Sequence, residues 1–353
     1  MRAGTVVAAT GRFALGEDQI AREPAEMRGR GRDDVRMMVA YRASEAVEHR
    51  TFRELPDVLG PGDLLVVNTS ATVPAALPAV GPSGDELRFH LSTRMPAGGL
   101  WAAELRRPDG AGSTRYRDGS VGSRLALPGG EGAELLAPLT EASRLWIVRL
   151  SVPEAAVGAY LARHGRPVRY SHAAGEWPLA AYQSVFSRDP GSAEMPSAAR
   201  PFTAEMVTRL VTEGVEVAPI TLHTGVSSLE SGEPPYPEWY RVPVDTARRV
   251  NSARAAGGRV VAVGTTAVRA LESAVDRVGT VHPAEGWTEV VVEPARGVRA
   301  VDGLLTGWHE PESTHLDMLD AVGGSELVER SYRAALRSGY LWHEFGDVHL
   351  LLP

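Results

Sequence analysis

Residues 304 to 319 read "LLTGWHEPESTHLDML" and gather His309, Glu310, Glu312, His315 and Asp317 within nine positions. Imidazoles and carboxylates at that density could bind a divalent metal, move a proton, or simply face solvent ahead of a helix. The zinc-helix reading fails on spacing, and no other spacing here is specific for a metal. A zinc-binding helix needs histidines four apart on one face with a glutamate beside the first, whereas His309 and His315 are six apart with Pro311 between them. The run "PESTHLDML" instead predicts a helix that begins near Pro311, with acidic groups in its first turn where the helix dipole favours them. That accounts for Glu310 and Glu312. It does not account for His309, which precedes the helix.

Three further candidate groups sit where predicted strands end: Asn68 after "LLVV", His223 after "VEVAPITL", and Thr265 with Thr266 after "RVVAVG". In open α/β sheets the ligand crevice lies beyond the carboxyl ends of the strands, so their coincidence carries more weight than any one of them. Each also has a structural reading. Asn68 can stop a buried strand, His223 can be a satisfied histidine, and Thr265 or Thr266 can cap a helix. Capping and binding are compatible, because a helix N-terminus presents unpaired N–H groups to an anion. Arg269 falls in the first helical turn, where a positive charge opposes the dipole. It either pairs with Glu272 three residues on, at the surface, or is buried and aimed at a ligand carboxylate.

The elements that must hold these residues follow from hydrophobic pattern. "GDLLVVN" (62 to 68), "VEVAPITL" (215 to 222) and "RVVAVG" (259 to 264) read as buried strands. "FTAEMVTRLVTEG" (202 to 214) reads as a helix with Thr203 as N-cap, Gly214 as stop, and Met206, Val207, Leu210 and Val211 on its apolar face. "AVRALESAVDRV" (267 to 278) predicts another, with Val268, Leu271, Val275 and Val278 inward. Alternating strands and helices imply a mostly parallel sheet covered on both faces. Residues 87 to 152 differ, with short apolar runs between Gly, Pro and Asp clusters, the texture of a small antiparallel β-barrel or sandwich. The expectation is an α/β domain formed by residues 1–73 and 153–353, with a β-barrel inserted at 74–152. The stretch "HTGVSSLESGEPPYPEWY" (223 to 240) is a long Gly-, Ser- and Pro-rich loop of the kind that carries function.

Composition narrows the chemistry. The 353 residues include no cysteine and no lysine, which excludes a thiolate nucleophile, a Cys-ligated metal and Schiff-base chemistry. A net charge of −7 disfavours a strongly basic nucleic-acid face. No apolar run approaches the roughly 20 residues that span a bilayer, and the first residues do not form a secretory signal, so a cytoplasmic location is expected.

Taken together, "RVVAVGTTAVRALESA" (259 to 274), "VDGLLTGWHEPESTHLDMLDAVGG" (301 to 324) and "YRAALRSGYLWHEFGDVHLLL" (332 to 352) resemble the S-adenosylmethionine:tRNA ribosyltransferase-isomerase family of queuosine biosynthesis. "LGPGDLLVVNTSATVPAAL" (59 to 77), "AYQSVFSRDPGSAEMPSA" (181 to 198), "TLHTG" (221 to 225) and "EWY" (238 to 240) continue the resemblance in the same order over nearly the whole chain. It implies the α/β domain with inserted barrel, and S-adenosylmethionine as ribosyl donor without a metal. In the family reaction a base takes a proton from C5′ beside the sulfonium. The resulting carbanion attacks the aminomethyl group of a modified guanine in tRNA, and adenine and methionine leave. The resemblance puts His223 and His309 in acid/base roles. It puts Asn68, Glu238, Tyr240, Thr265, Thr266, Arg269, Ser313, Thr314 and Asp347 in the substrate site.

Where the family commonly reads "PTAGLHF", "NDTRVIPARL" and "NFHLPKST", this chain has "PSAARPF" (196 to 202), "NTSATVPAAL" (68 to 77) and "GWHEPEST" (307 to 314). Pro201 replaces a histidine, Thr69 an acid, Ala71 an arginine and Glu312 a lysine. Losing positive charge argues against tRNA as acceptor. A small-molecule acceptor, fragmentation of S-adenosylmethionine, or a ligand-binding relative without turnover are the alternatives.

Overall fold

The computed structural model describes residues 12–109, 112–140, 144–169, 175–226 and 236–353. Half of the predicted 223 to 240 loop, at 227 to 235, lies outside the described residues.

A nine-stranded sheet forms the larger part. Its order is Ala284–Thr288, Glu238–Val242, Glu216–Leu222, Leu64–Asn68, Val260–Val263, Gly303–Gly307, Val348–Leu352, Arg36–Tyr41 and Ala46–Thr51. The four central strands from Glu216–Leu222 to Gly303–Gly307 are parallel. Outside them antiparallel pairing takes over, apart from the parallel pair Val348–Leu352 and Arg36–Tyr41, so the sheet is mixed. The centre is apolar on both faces because successive side chains alternate sides. Leu64 and Val66 enter one core while Leu65 and Val67 enter the other, and Val260 to Val263 divide the same way.

One predicted helix keeps its cap and stop but not its whole apolar face, a second ends before its apolar pattern does, and a third starts later. The helix Ala204–Thr212 has the expected cap, with Thr203 Oγ1 accepting from Met206 N at 3.2 Å, and Gly214 follows at φ 90°. Met206 and Leu210 are buried, but Val211 is 54% exposed, off the packed face. The helix after "RVVAVG" runs Thr265–Ala274 and not to 278. Asp276 accepts from Val278 N and Thr280 N in a local turn that competes with helix, and leaves Val278 87% exposed. The helix of the opening motif is His315–Gly323 and starts later than Pro311. Ser313 N donates to the Glu310 carbonyl in a turn that delays it, so Glu310 and Glu312 lie ahead of the helix.

The inserted part is a closed six-stranded antiparallel barrel. Its strands are Ala76–Val80, Glu86–Arg94, Leu100–Asp109, Arg124–Ala126, Gly132–Pro138 and Leu145–Leu150, and the last closes onto Leu100–Asp109. Leu77, Phe89, Leu105, Leu135 and Val148 fill its interior. A separate apolar seam of Ala75, Leu145, Val168, Ala193, Val226 and Tyr236 joins the barrel to the sheet domain. Among the described residues no helix is long and apolar enough to cross a membrane.

Candidate functional site

The seam opens into a cavity of about 540 Å³ between the barrel and the carboxyl ends of the parallel strands. Gly264, at φ 93°, turns the chain from Val260–Val263 into the next helix, a conformation that favours glycine. The turn sets Thr265 and Thr266 on the cavity wall at a helix N-terminus, and Arg269 one turn further along. The strand Gly303–Gly307 delivers Trp308 and His309 to the same space, and Ser313, Thr314 and His315 close it from the start of their helix.

Arg269 is buried, but its partner is not the one local sequence suggested. It forms a short ion pair with Glu238 and donates to the carbonyls of Val290 and Thr288, each at 3.3 Å. Glu238 in turn accepts from Gly225 N at 2.9 Å. Glu272 is itself buried and holds Arg296 at 2.6 Å and the N–H groups of Arg299 and Ala300. The expected surface pair does not form because Arg269 points inward and Glu272 toward the 296 to 300 turn.

Four expected site residues lie behind the wall. Asn68 spends its side chain on Ser70 N, both polar backbone groups of Leu222, and Thr266 Oγ1 at 3.2 Å, so it braces a residue that does line the cavity. Tyr240 donates to the Ser273 carbonyl at 3.4 Å. Asp347 accepts from Arg36 N at 2.8 Å and Leu341 N at 2.9 Å. His223 stacks on Trp239 with ring centroids 5.1 Å apart, and its Nδ1 lies 2.8 Å from Ser70 Oγ.

His309 is fixed on every side. Its N–H donates to Tyr332 Oη at 3.2 Å and its carbonyl accepts from Trp342 Nε1 at 2.9 Å. Its ring joins Thr306 Oγ1 through Nε2 at 2.8 Å and His315 Nδ1 through Nδ1 at 3.3 Å. Burial holds its pKa well below the usual imidazole value, and neighbouring His315 and His349 lower it further. Burial, then Arg269, brings His315 down to about 4, while burial takes His223 to about 4 despite Asp189. All three rings are neutral at pH 7. His315 carries no expected role from the resemblance, yet it lines the cavity. Its signal in the sequence was only its nearness to His309.

On the barrel side, Arg106 and Arg144 reach the cavity and share the buried carboxylate of Glu104 at 2.7 and 2.8 Å. Burial opposes ionisation of Glu104, but His90 and the two guanidiniums outweigh it and bring its pKa to about 2. Among the described residues, five carboxylates line the cavity, those of Glu194, Glu238, Glu310, Glu312 and Glu344, against three guanidiniums. No described group of three or more His, Asp or Glu side chains has metal-ligating proximity.

An α/β domain with an inserted barrel, and a polar cavity at the strand ends between them, defines the class of protein. The model of the family described as "Queuosine biosynthesis protein" matches residues 9–351. The S-adenosylmethionine:tRNA ribosyltransferase-isomerases of Symbiobacterium thermophilum and Thermus thermophilus are each 37% identical, over 96% of this chain and 98% of theirs. That of Rubrobacter xylanophilus is 38% identical over 96% of both chains. The solved S-adenosylmethionine tRNA ribosyltransferase of Thermotoga maritima aligns with a TM-score of 0.54 and 29% identity, covering 96% of this chain and 99% of that one. The chain belongs to the S-adenosylmethionine:tRNA ribosyltransferase-isomerase family, whose members are transferase/isomerase enzymes.

Proposed function

We propose that this protein transfers the ribosyl unit of S-adenosylmethionine to the aminomethyl group of a modified guanine in tRNA, with loss of adenine and methionine. The observation that carries this reading is the carboxylate-rich cavity with a neutral histidine pair on its wall. Both reactants present positive charge, one as sulfonium and ammonium, the other as an aminomethyl ammonium, and a carboxylate-rich enclosure attracts both. The C5′ proton beside the sulfonium is acidic through that neighbouring charge, and a neutral imidazole is the group suited to remove it.

Thr265 and Thr266, at the helix N-terminus, hold the methionine carboxylate or a ribose hydroxyl. Arg269 is fixed by Glu238 at the next turn, and Ser313 and Thr314 face the same ligand from the opposite wall. Asn68, Tyr240, His223 and Asp347 support the site from behind.

The relatives' names favour tRNA as acceptor, against the expectation drawn from the four departures. Of those departures only Glu312 lines the cavity, whereas Thr69, Ala71 and Pro201 do not. Glu312 there repels a phosphate but attracts the cationic amine of the base. Incubation with S-adenosylmethionine, with and without tRNA bearing the aminomethyl-modified guanine, tests the reading. Adenine and methionine release that requires the tRNA is expected. Equal release without any tRNA would move the protein to fragmentation or to a small-molecule acceptor.

A further inference from the structure

Resting on that reading, we propose that His315 is the catalytic base, presenting Nε2 to C5′ of the ligand, and that His309 is a positioning residue that orients His315 and shares its proton. His315 keeps an unspent ring nitrogen where His309 does not. Both ring nitrogens of His309 are committed, Nε2 to Thr306 Oγ1 at 2.8 Å and Nδ1 to His315 Nδ1 at 3.3 Å. His315 spends only Nδ1, and its Nε2 engages no protein group among the described residues, although its ring lines the cavity.

A contact between two ring nitrogens requires one donor and one acceptor. With His315 carrying its proton on Nδ1 and His309 on Nε2, the chain runs from His315 Nδ1–H to His309 Nδ1, and from His309 Nε2–H to Thr306 Oγ1. That arrangement leaves a lone pair on His315 Nε2 facing the cavity. The C5′–H bond then breaks, its electrons remain on carbon beside the sulfonium, and the proton binds His315 Nε2. The new imidazolium leans its Nδ1 proton toward His309, and the pair later returns one proton to the departing adenine.

The second ring has a physical purpose. Burial and the nearby Arg269 disfavour charge on His315, as does its place at the positive end of the helix His315–Gly323. Isolated in that setting, one imidazole would accept a proton poorly. A neutral acceptor on Nδ1 spreads the incoming charge and fixes the tautomer, as the orienting carboxylate does in a catalytic triad. The two rings meet at 64° with centroids 4.7 Å apart, and the backbone clamps on His309 from Tyr332 and Trp342 keep that register.

The test compares His315→Gln, His315→Ala, His309→Ala and His309→Asn, following adenine release with S-adenosylmethionine and the modified tRNA. S-Adenosylmethionine affinity and thermal melting are read alongside. Removing the base should cost about 10² to 10⁴ in kcat in both His315 variants, with affinity within about threefold of the parent. An asparagine oxygen can accept from His315 where His309 Nδ1 did, so His309→Asn should recover about tenfold over His309→Ala. Nitrogen-15 NMR of the unaltered protein should show His315 protonated on Nδ1 and His309 on Nε2, a readout that does not depend on how the variants fold. If His315→Gln turns over within threefold of the parent while His309→Asn is inactive, His309 is the base and the proposal falls alone. If the parent protein releases no adenine under either condition, the reading of the cavity falls and this proposal with it.

Discussion

At the antiparallel end of the sheet, His223 lies against Trp239 with its Nδ1 on Ser70, and Ser70 in turn meets Ser192 at 2.6 Å. Beyond the central strand Gly303–Gly307, His309 and His315 touch each other, and both border the cavity. Burial keeps the rings in both regions neutral, so protonation state does not distinguish them. The cavity does. His223 packs against a hydroxyl and an indole outside it, whereas the pair borders the space where a ligand fits. A strand-end histidine is therefore a candidate by position and a reagent only by what its free nitrogen meets.

The sharpest break in the comparison comes from the cavity's ion pair. Glu238→Ala would leave Arg269 buried and uncompensated, and should cost about 3–5 kcal/mol in denaturant unfolding together with most of the turnover. Next, His309→Ala should lower kcat by about 10²-fold in adenine release, near the lower bound for losing general-base assistance. His223→Ala should do the opposite. It should lose about 1–2 kcal/mol of stability through its hydroxyl partner and ring stack, with kcat within about threefold of the parent; a hundredfold loss would return His223 to the chemistry.

The smallest expected effect concerns acid stability. Burial lowers the pKa of His349 to about 3 and of His315 to about 4, so below the ordinary imidazole value the unfolded chain binds protons that the folded chain does not. Stability is therefore fully present above about pH 6.5 and falls as pH drops toward 4. Glu104, held down at about 2, adds a further loss below its ordinary value, as pH falls toward 2. Both ring nitrogens of His349 lack a hydrogen-bond partner among the described residues, and the ring stacks on Trp308. His349→Leu should flatten the fall in melting temperature between pH 6.5 and 4. An unchanged slope would assign that loss to the other rings.

The sequence was legible where the determinants are local. Leu64–Asn68 and Val260–Val263 announce themselves by continuous apolar runs, Thr203 by its place before an apolar periodicity, and the barrel by its close turn spacing. It was misleading where a distant partner or a competing local turn decides. Arg269 has Glu272 three residues away, but its partner Glu238 is 31 residues away on a neighbouring strand, and no local pattern reports that pairing. Val278 continues a helical pattern that the Asp276 turn ends. His315 was visible as a histidine, but its meaning depends on the turn at 310 to 313 that folds it back onto His309.

Ribosyl transfer to tRNA is the activity proposed for this chain. Nucleoside mass spectrometry of tRNA carrying the aminomethyl-modified guanine, after incubation with the protein and S-adenosylmethionine, tests it most directly. The modified guanosine should gain the ribosyl-derived unit as one adenine and one methionine appear for each. S-Adenosylmethionine consumed with the tRNA nucleosides unchanged would contradict it.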